Sequence, residues 1–584
     1  MNMLFTILAA VGGLALFIYG MNTMGTALEK ASGSRLEHIL DNMTKNIFAG
    51  VVLGVVVTAV IQSSSATTVI VVGLVNAGML KLRSAIGIIM GANIGTTVTG
   101  QILRLAELDT TGTASGAMDF LKLSNLIPII LIIGMIIYMA SKTVAKKNIG
   151  EIFLGLGVLF TGMEAMTAAV KPLAELPAFK EIFMTLTNPI LGVLAGTIIT
   201  AIIQSSSASV GILQAISTSG AVTYAAAFPI IMGQNIGTCI TSILSAIGTS
   251  TNAKRAAAVH LLFNVLGTTL WLAGCYLIQS FIGFPFWDDT IDMGGIANFH
   301  TLFNITNTII FLPFAGILER IATSVIRTPK VTDTPDEIAV ALDERLLKSP
   351  SLAIGQSQHT VADMGRVALG SFEKARESFG GFKTEKAAEI RKNVQIVFKT
   401  EDLLNNYLVR ITQAELTEFE NRRVTTLMYM TNEFSRIADY VQDILENAEK
   451  LNEKSLSFSE AAKKEIEVLF NAAAEILNTT TKAAERGDTF AASITGPLEI
   501  TINKLHDTLK ARHIERLKQG ECNVESGVVY LDILVSIQRI AGHCSNISAY
   551  VKNSGASKRE NLTQNGGEID INKLATDFEV KYQV

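Results

Sequence analysis

The stretch VVLGVVVTAVIQSSSATTVIVVGL, residues 51–74, is apolar on both sides of Gln62-Ser63-Ser64-Ser65 and carries no charge. It returns at residues 193–216 as VLAGTIITAIIQSSSASVGILQAI, with Gln204-Ser205-Ser206-Ser207 in the same place. Hydrocarbon offers a polar side chain no hydrogen-bond partner, so a polar string inside an apolar segment is costly. One copy is consistent with a buried structural cluster. Two copies point to a binding site built by duplication.

The offset, 204 − 62 = 142, holds well beyond the string. It maps Gly20-Met21 onto Gly162-Met163, Asn46 onto Asn188, Gly54 onto Gly196, and Thr58-Ala59 onto Thr200-Ala201. It also maps Met90-Gly91 onto Met232-Gly233, and Asn93-Ile94-Gly95-Thr96 onto Asn235-Ile236-Gly237-Thr238. A gap-free match of this length exceeds what shared apolar composition produces. Internal duplication is a hallmark of secondary transporters.

With 584 residues the chain is too long for one ordinary domain. Its mean hydropathy of +0.38 averages two unlike halves. Up to about Ile326 apolar runs dominate, and a transmembrane helix needs about 20 such residues. From Lys330 onward charges appear every few positions. The expected division is a polytopic all-α membrane domain over 1–326, a Pro-containing linker over 327–340, a soluble helical domain over 341–552, and a polar, disordered tail over 553–584. Within the membrane part, repeat 1 spans about 3–141, repeat 2 about 151–275, and a final helix about 297–320. The run Leu4 to Tyr19 lacks a basic start and a cleavage site, so it reads as a retained helix. The net charge of −4 carries little information, and no Lys/Arg cluster with interleaved aromatics points to nucleic acid. Cys239, Cys275, Cys522 and Cys544 show neither paired nor zinc-ligand spacing and read as reduced, packed thiols.

Full crossings are expected at 3–21, 84–104 and 121–140, whereas 47–80 fits a re-entrant hairpin around the polar turn. Three crossings per unit place the second copy upside down, giving two inverted repeats. Arg35, Lys45, Lys81, Arg83, Lys142, Lys146, Lys147, Lys254 and Arg255 then share one face, and Glu107, Asp109, Asp288, Asp289 and Asp292 the other. The two hairpins enter from opposite faces and meet near the midplane.

Neither Asn46 to Leu80 nor Ile182 to Ala253 contains a charged residue or a histidine. An anion there must be held by serine hydroxyls, the Gln amides and backbone N–H groups at a half-helix N-terminus, where the helix dipole favours negative charge. Hydroxyls, amide oxygens and freed carbonyls also suit Na⁺. The second motif, with Asn93, Thr96, Asn235 and Thr238, adds amides and hydroxyls, although such residues also serve as interhelical packing contacts. His-x-x-Phe-Asn occurs at 260–264 and 300–304, either as a proton-sensitive contact or, more commonly, as an interhelical hydrogen-bond pair. Glu164 reads as interfacial.

The paired QSSS strings with Gly-x-Asn-Ile-Gly-Thr resemble the type II sodium–phosphate cotransporter family over roughly residues 3–320. The resemblance implies uptake of inorganic phosphate driven by Na⁺ at the plasma membrane, with no other cofactor. Gln62, Ser63, Ser64, Ser65, Gln204, Ser205, Ser206 and Ser207 carry over as the substrate and ion site. Asn93, Thr96, Asn235 and Thr238 carry over as their neighbours. Thr67-Thr68 becomes Ser209-Val210 in the second copy, so an asymmetric site is expected.

In the soluble half, apolar spacing predicts helices near 357–379, 384–411, 415–450, 459–486, 494–518 and 525–551, separated by breaks such as Gly487-Asp488 and Gly496-Pro497. Six amphipathic helices make two three-helix bundles. Glu433-x-x-Arg436-Ile437-x-Asp439 resembles the metal-binding pattern of PhoU-like domains, with Gln538 to His543 as its second-bundle counterpart. That resemblance implies a divalent or iron ion at Glu433 and Asp439, though a salt-bridged helix face fits them equally. It also implies a cytoplasmic regulatory role, through a homodimer or a regulatory protein partner. The rival reading is a phosphate-sensing signalling or scaffold protein. No phosphate-cradling Gly-Lys loop, zinc-ligand pair or nucleophile–base set supports an enzyme.

Overall fold

The computed structural model describes residues 3–43, 46–105, 123–174, 176–327, 342–414, 416–555 and 571–583. The apolar runs are helices, and the described residues hold no strand beyond an isolated bridge between Thr223 and Thr290. The chain divides into two units, Met1–Val331 and Thr332–Val584. Of the predicted linker, residues 328–340 lie outside the described residues, as do Lys45, Glu107 and Asp109.

In the first unit, α1 (Met3–Met43), α2 (Ile47–Ile61), α3 (Ser64–Asn76), α4 (Leu82–Leu103) and α5 (Leu123–Ala140) form the first copy. The second copy comprises α6 (Val144–Ala174), α7 (Pro177–Thr185), α8 (Pro189–Ile203), α9 (Ser206–Ser217), α10 (Tyr224–Ser245) and α11 (Thr251–Phe281), followed by α12 (Met293–Phe311) and α13 (Ala315–Val325). Among the described residues, five helices are long and apolar enough to cross a membrane, or seven if each of two bent pairs counts as one span. The chain is a membrane protein. Two expectations need correction. The first crossing opens a 41-residue helix. The predicted final helix 297–320 is two helices, α12 and α13, bent by 82°, because Pro313 at their junction supplies no backbone donor.

Glycines set the close packing, and they do so twice. A Cβ on Gly54 would lie 2.1 Å from the Ile88 carbonyl oxygen, and one on Gly196 would lie 2.1 Å from that of Ile230. Gly91 and Gly233 face Val51 and Val193 at 2.0 and 2.1 Å. The α2–α4 and α8–α10 pairs therefore rest backbone on backbone, as small residues allow in membranes. The equivalent helices α1 and α6 pack along each other. Gly13 abuts Gly162 and Gly20 abuts Gly155, so this pair runs antiparallel.

The second unit holds α14 (Pro350–Glu377), α15 (Thr384–Ile411), α16 (Glu418–Glu453), α17 (Glu460–Arg486), α18 (Thr489–Lys518), α19 (Val524–Gly555) and α20 (Ile571–Lys581). Helices α14 to α16 form one three-helix bundle and α17 to α19 another, joined mainly through α16 against α19. Local signals fix the ends. Thr417 and Glu420 make a reciprocal capping box, and Gly487 closes α17 at φ +62°. Gly496-Pro497 does not break the chain. Pro497 sits inside α18, which starts earlier because Asp488 caps Phe490 and Ala491. The tail also needs correction: residues 571–581 are helical, with Leu574, Phe578 and Tyr582 on one partly covered stripe. Lys504 pairs with Glu579, and Lys581 and the Tyr582 hydroxyl with Glu475. Residues 556–570 lie outside the described residues.

A buried ionic hub ties the second bundle together. Glu465 accepts from Arg516 at 2.7 Å and from the Tyr530 hydroxyl at 3.1 Å. Burial works against the Glu465 carboxylate, but hydrogen bonds from Arg516, Tyr530 and Arg512 outweigh it and hold its pKa below the ordinary value. A depressed pKa stabilises the fold above the unfolded value of about 4.3, and that stability is lost as pH falls through the folded one. Acid unfolding of residues 342–555, followed by pulse proteolysis of the whole protein, is expected to be steeper in the wild type than in Glu465→Gln. At neutral pH the variant should lose about 1–3 kcal/mol, because the partly buried Arg516 loses its counter-charge. In the membrane unit, Gly91→Ala and Gly233→Ala are each expected to cost about 1–3 kcal/mol. The readout is a lowered melting midpoint of detergent-solubilised protein, with Gly12→Ala, which meets nothing within 4 Å, as the neutral control.

Candidate functional site

Each QSSS string is a helix break. Gln62 ends α2 at φ 58°, ψ 24°, and Gln204 ends α8 at φ 59°, ψ 22°. Left-handed backbone costs a non-glycine residue on the order of 1 kcal/mol, and both copies accept it. Ser63 then caps α3 by accepting from the Ala66 amide, and Ser205 caps α9 by accepting from Ala208. The half-helices α2 and α3 are about 22 and 20 Å long, short of the ~30 Å hydrocarbon thickness. Their junction is braced by Thr58 donating to Thr67 at 3.0 Å, and the second junction by Thr200 donating to Ser209 at 2.8 Å. The change from Thr67 to Ser209 therefore keeps its hydroxyl.

The two strings, 142 residues apart in sequence, meet in space. Ser65 Oγ donates to the Gln204 carbonyl at 3.3 Å. Ser207 Oγ donates to Thr99 Oγ1 at 3.3 Å, and Thr99 donates to Gln62 Oε1 at 2.9 Å. The Gln62 amide nitrogen closes the chain on the Ala59 carbonyl. The N-termini of α3 and α9 thus converge, each with first-turn N–H groups that no intrahelical carbonyl can take. Ser64 and Ser206 are the first residues of those helices, and both are buried. The C-terminal carbonyls of α2 and α8 lie at the same junctions. One locus therefore holds partial positive charge for an anion and free oxygens for a cation. The copies differ in access: Gln62 is 6% exposed and tied down, whereas Gln204 is exposed and its side chain makes no hydrogen bond within the described residues.

The second motif is placed differently. Thr96 and Thr238 donate to carbonyls of their own helices, at Ala92 and Gln234, and Asn235 donates to Ile231. Asn93 belongs to a cross-helix chain. His260 Nε2 faces its Oδ1 at 3.3 Å, its amide nitrogen donates to Asn264 at 2.8 Å, and Ser242 meets His260 Nδ1 at 3.0 Å. His260 is thus the interhelical partner its motif suggests, and Asn93 locks α4 to α11. The motif's glycines, Gly91 and Gly233, are the close-packing positions already described.

Sequence reasoning missed three groups. Thr99 links the two strings, and the repeat offset maps it onto Thr241, so extending the second motif by three residues was the available signal. Gln214 donates to the Gly100 and Met293 carbonyls, and Gln234 to Ser209, with both Oε1 atoms lacking a partner among the described residues. Their counterparts in the first copy are Val72 and Ala92, so the repeat hid them.

In the second unit Glu433 and Asp439 are not brought together. Glu433 takes hydrogen bonds from His543 and Asn546, whereas Asp439 lies 3.5 Å from Arg436. Among the described residues no group of three or more His, Cys, Asp or Glu side chains is arranged to hold a metal. The second-bundle counterpart does face the first: His543 meets Glu433, while Gln538 turns to Asn503. The cysteines are free thiols, and all but Cys522 are buried.

A doubled membrane unit with paired helix breaks, followed by two three-helix bundles, has the duplicated build of a secondary transporter. Residues 16–168 and 161–286 each match the Na⁺/Pi-cotransporter family, and residues 361–448 and 466–551 each match the PhoU domain. The chain belongs to the Na⁺/Pi-cotransporter family, with a C-terminal PhoU domain in two copies. It is 25% identical over 541 residues to YjbB of Escherichia coli (strain K12), a protein named for inorganic phosphate export, covering 92% of this chain and 95% of that one. It is 30% identical to the uncharacterized protein YqeW of Bacillus subtilis (strain 168) over 306 residues, 52% of this chain and 93% of YqeW. The sodium-dependent phosphate transport protein 2A of Rattus norvegicus is 35% identical over 150 residues, 24% of each chain. YjbB and the transport protein 2A are named for phosphate export and transport, and this chain is a transport protein rather than an enzyme.

Thr99→Val removes the hydroxyl that joins Gln62 to Ser207. Since one such hydrogen bond is worth about 1 kcal/mol, phosphate transport in proteoliposomes is expected to fall about tenfold or less, with Thr99→Ser restoring most of it.

Proposed function

We propose that this protein is a sodium-coupled symporter of inorganic phosphate in which Gln62, Ser63, Ser64, Ser65, Gln204, Ser205, Ser206 and Ser207 form the substrate and ion site. The convergence of the α3 and α9 N-termini carries the reading. Phosphate is held by first-turn amides and the Ser64 and Ser206 hydroxyls. Sodium is held by carbonyl oxygens at the α2 and α8 C-termini. Asn93, Thr96, Asn235 and Thr238 then act behind the site, keeping the helices that carry it in register.

The antiparallel α1–α6 pair supports two inverted repeats, since equivalent helices running oppositely need a two-fold axis across them. In that arrangement the breaks enter from opposite faces as re-entrant hairpins. Rocking of one repeat against the other exposes the site to each side in turn. The basic loops then lie on the cytoplasmic side of the plasma membrane with the PhoU domain, which regulates transport in response to phosphate. The family's sodium–phosphate naming supports this coupling, and the YjbB relative raises net export as the second direction. A symporter runs either way according to its gradients, so direction is a property of conditions.

Proteoliposomes with an imposed Na⁺ gradient test this. Phosphate uptake is expected to require inward Na⁺, and preloaded vesicles should release phosphate when the gradient is reversed. Ser64→Ala and Ser206→Ala should each lower transport about tenfold or more, the scale of one hydrogen bond to a charged group. Uptake that is indifferent to Na⁺ would sink the coupling.

A further inference from the structure

The two His-x-x-Phe-Asn segments lie on α11 and α12 and meet opposite fates. On α11 both His260 nitrogens and the Asn264 amide are engaged, through Ser242, Asn93 and Cys239. On α12, His300, Asn304 and Asn307 are 1%, 0% and 0% exposed. Yet both His300 ring nitrogens, Asn304 Oδ1 and both amide atoms of Asn307 have no hydrogen-bond partner among the described residues. Buried polar groups are normally paired, so this concentration on one helix needs an account.

Spacings of four and three residues put these side chains on one stripe of α12. Its flanks are fixed by contacts. On one side Thr308 donates to the Met90 carbonyl of α4 at 3.4 Å, and Gln101 of α4 donates to Thr301 at 3.0 Å. On the other, Phe299 stacks on Phe228 of α10 at 3.6 Å, and Phe303 packs edge-on against Trp271 of α11. The stripe between those flanks therefore faces the junction of α4, α10 and α11. Room for Asn307 beside α11 comes from Gly267, where a Cβ would lie 2.5 Å from the Asn307 amide nitrogen.

The ligand chemistry follows from the donor set. Asn304 and Asn307 offer uncharged, hard carbonyl oxygens, and neutral His300 offers a lone pair and an N–H to a water in a coordination shell. No carboxylate belongs to the stripe, which disfavours divalent ions, since those draw on carboxylates. We propose that His300, Asn304 and Asn307 form a monovalent-cation site, taking Na⁺, on residues distinct from the QSSS strings. It rests on the sodium-coupled reading above and adds a second Na⁺ position to the one at the α2 and α8 C-termini. A cation among neutral ligands leaves one positive charge in a low-dielectric core, which favours an anion bound in the same unit. Binding of the two ions is thereby linked without any direct contact between them.

Retention of radiolabelled Na⁺ by purified full-length protein, without phosphate, tests the site. Asn304→Ala and Asn307→Ala are expected to raise the half-saturating Na⁺ concentration about tenfold or more, the scale found for residues that shape ion sites. Asn304→Asp, which keeps the side-chain volume and adds a carboxylate, is expected to lower it, and it decides the matter if the alanine variants misfold. Isotherms unchanged across all three variants would overturn the site and assign the stripe to ordered water. Wild-type phosphate uptake that ignores Na⁺ refutes coupling, whereas unchanged isotherms beside Na⁺-dependent uptake refute this site alone.

Discussion

The structure of the membrane unit depends on two left-handed turns, at Gln62 and Gln204. A helix that stops inside hydrocarbon strands backbone carbonyls on one side of the break and backbone N–H groups on the other. Such groups persist only where protein or a polar ligand meets them. Here the caps at Ser63 and Ser205 satisfy one amide each, and the Thr58–Thr67 and Thr200–Ser209 pairs hold the half-helices at a fixed angle. The remaining first-turn amides are left for whatever binds. A glycine would reach the same backbone more cheaply, but it would lack the carboxamide through which Gln62 ties the break to Thr99.

Around those turns the scaffold is nearly symmetric and the lining is not. Glycine contacts recur at equivalent positions on α2–α4 and α8–α10, because backbone approach depends only on the absence of a side chain. Polar contacts depend on what neighbours each copy. Thr99 reaches both strings, whereas its equivalent, Thr241, donates to the Thr238 carbonyl of its own helix. Asn93 is gripped by α11, whereas Asn235 bonds within α10. Duplication thus supplies two converging helix N-termini, and divergence of the surroundings gives the two junctions unequal polar neighbours.

Much of this was legible in the sequence, for physical reasons. Apolar runs and their interruptions report helices directly, and the 142-residue offset fixed the equivalence of the two halves before any contact was known. In the second unit, periodicity located all six bundle helices, with α14 starting seven residues earlier than expected, at Pro350, and α18 five earlier, at Thr489. What the pattern could not carry is which polar residues are consumed by packing. The motif around Asn93 looked like ligand chemistry, yet its threonines bond their own helices and its glycines serve backbone approach. Gln214 and Gln234 had no repeat partner to flag them. Residues 571–581 read as disordered because their composition is polar, yet one stripe is covered and Glu475 anchors its end.

That the QSSS locus contains no fixed charge is itself a mechanistic constraint. An arginine at such a locus would hold an anion more tightly, but its charge would persist after the anion left and would have to be neutralised before an empty carrier could reorient. Helix dipoles and hydroxyls impose no such debt, because their partial charges fall off within one turn. The αL turns at Gln62 and Gln204 are what place those dipoles side by side.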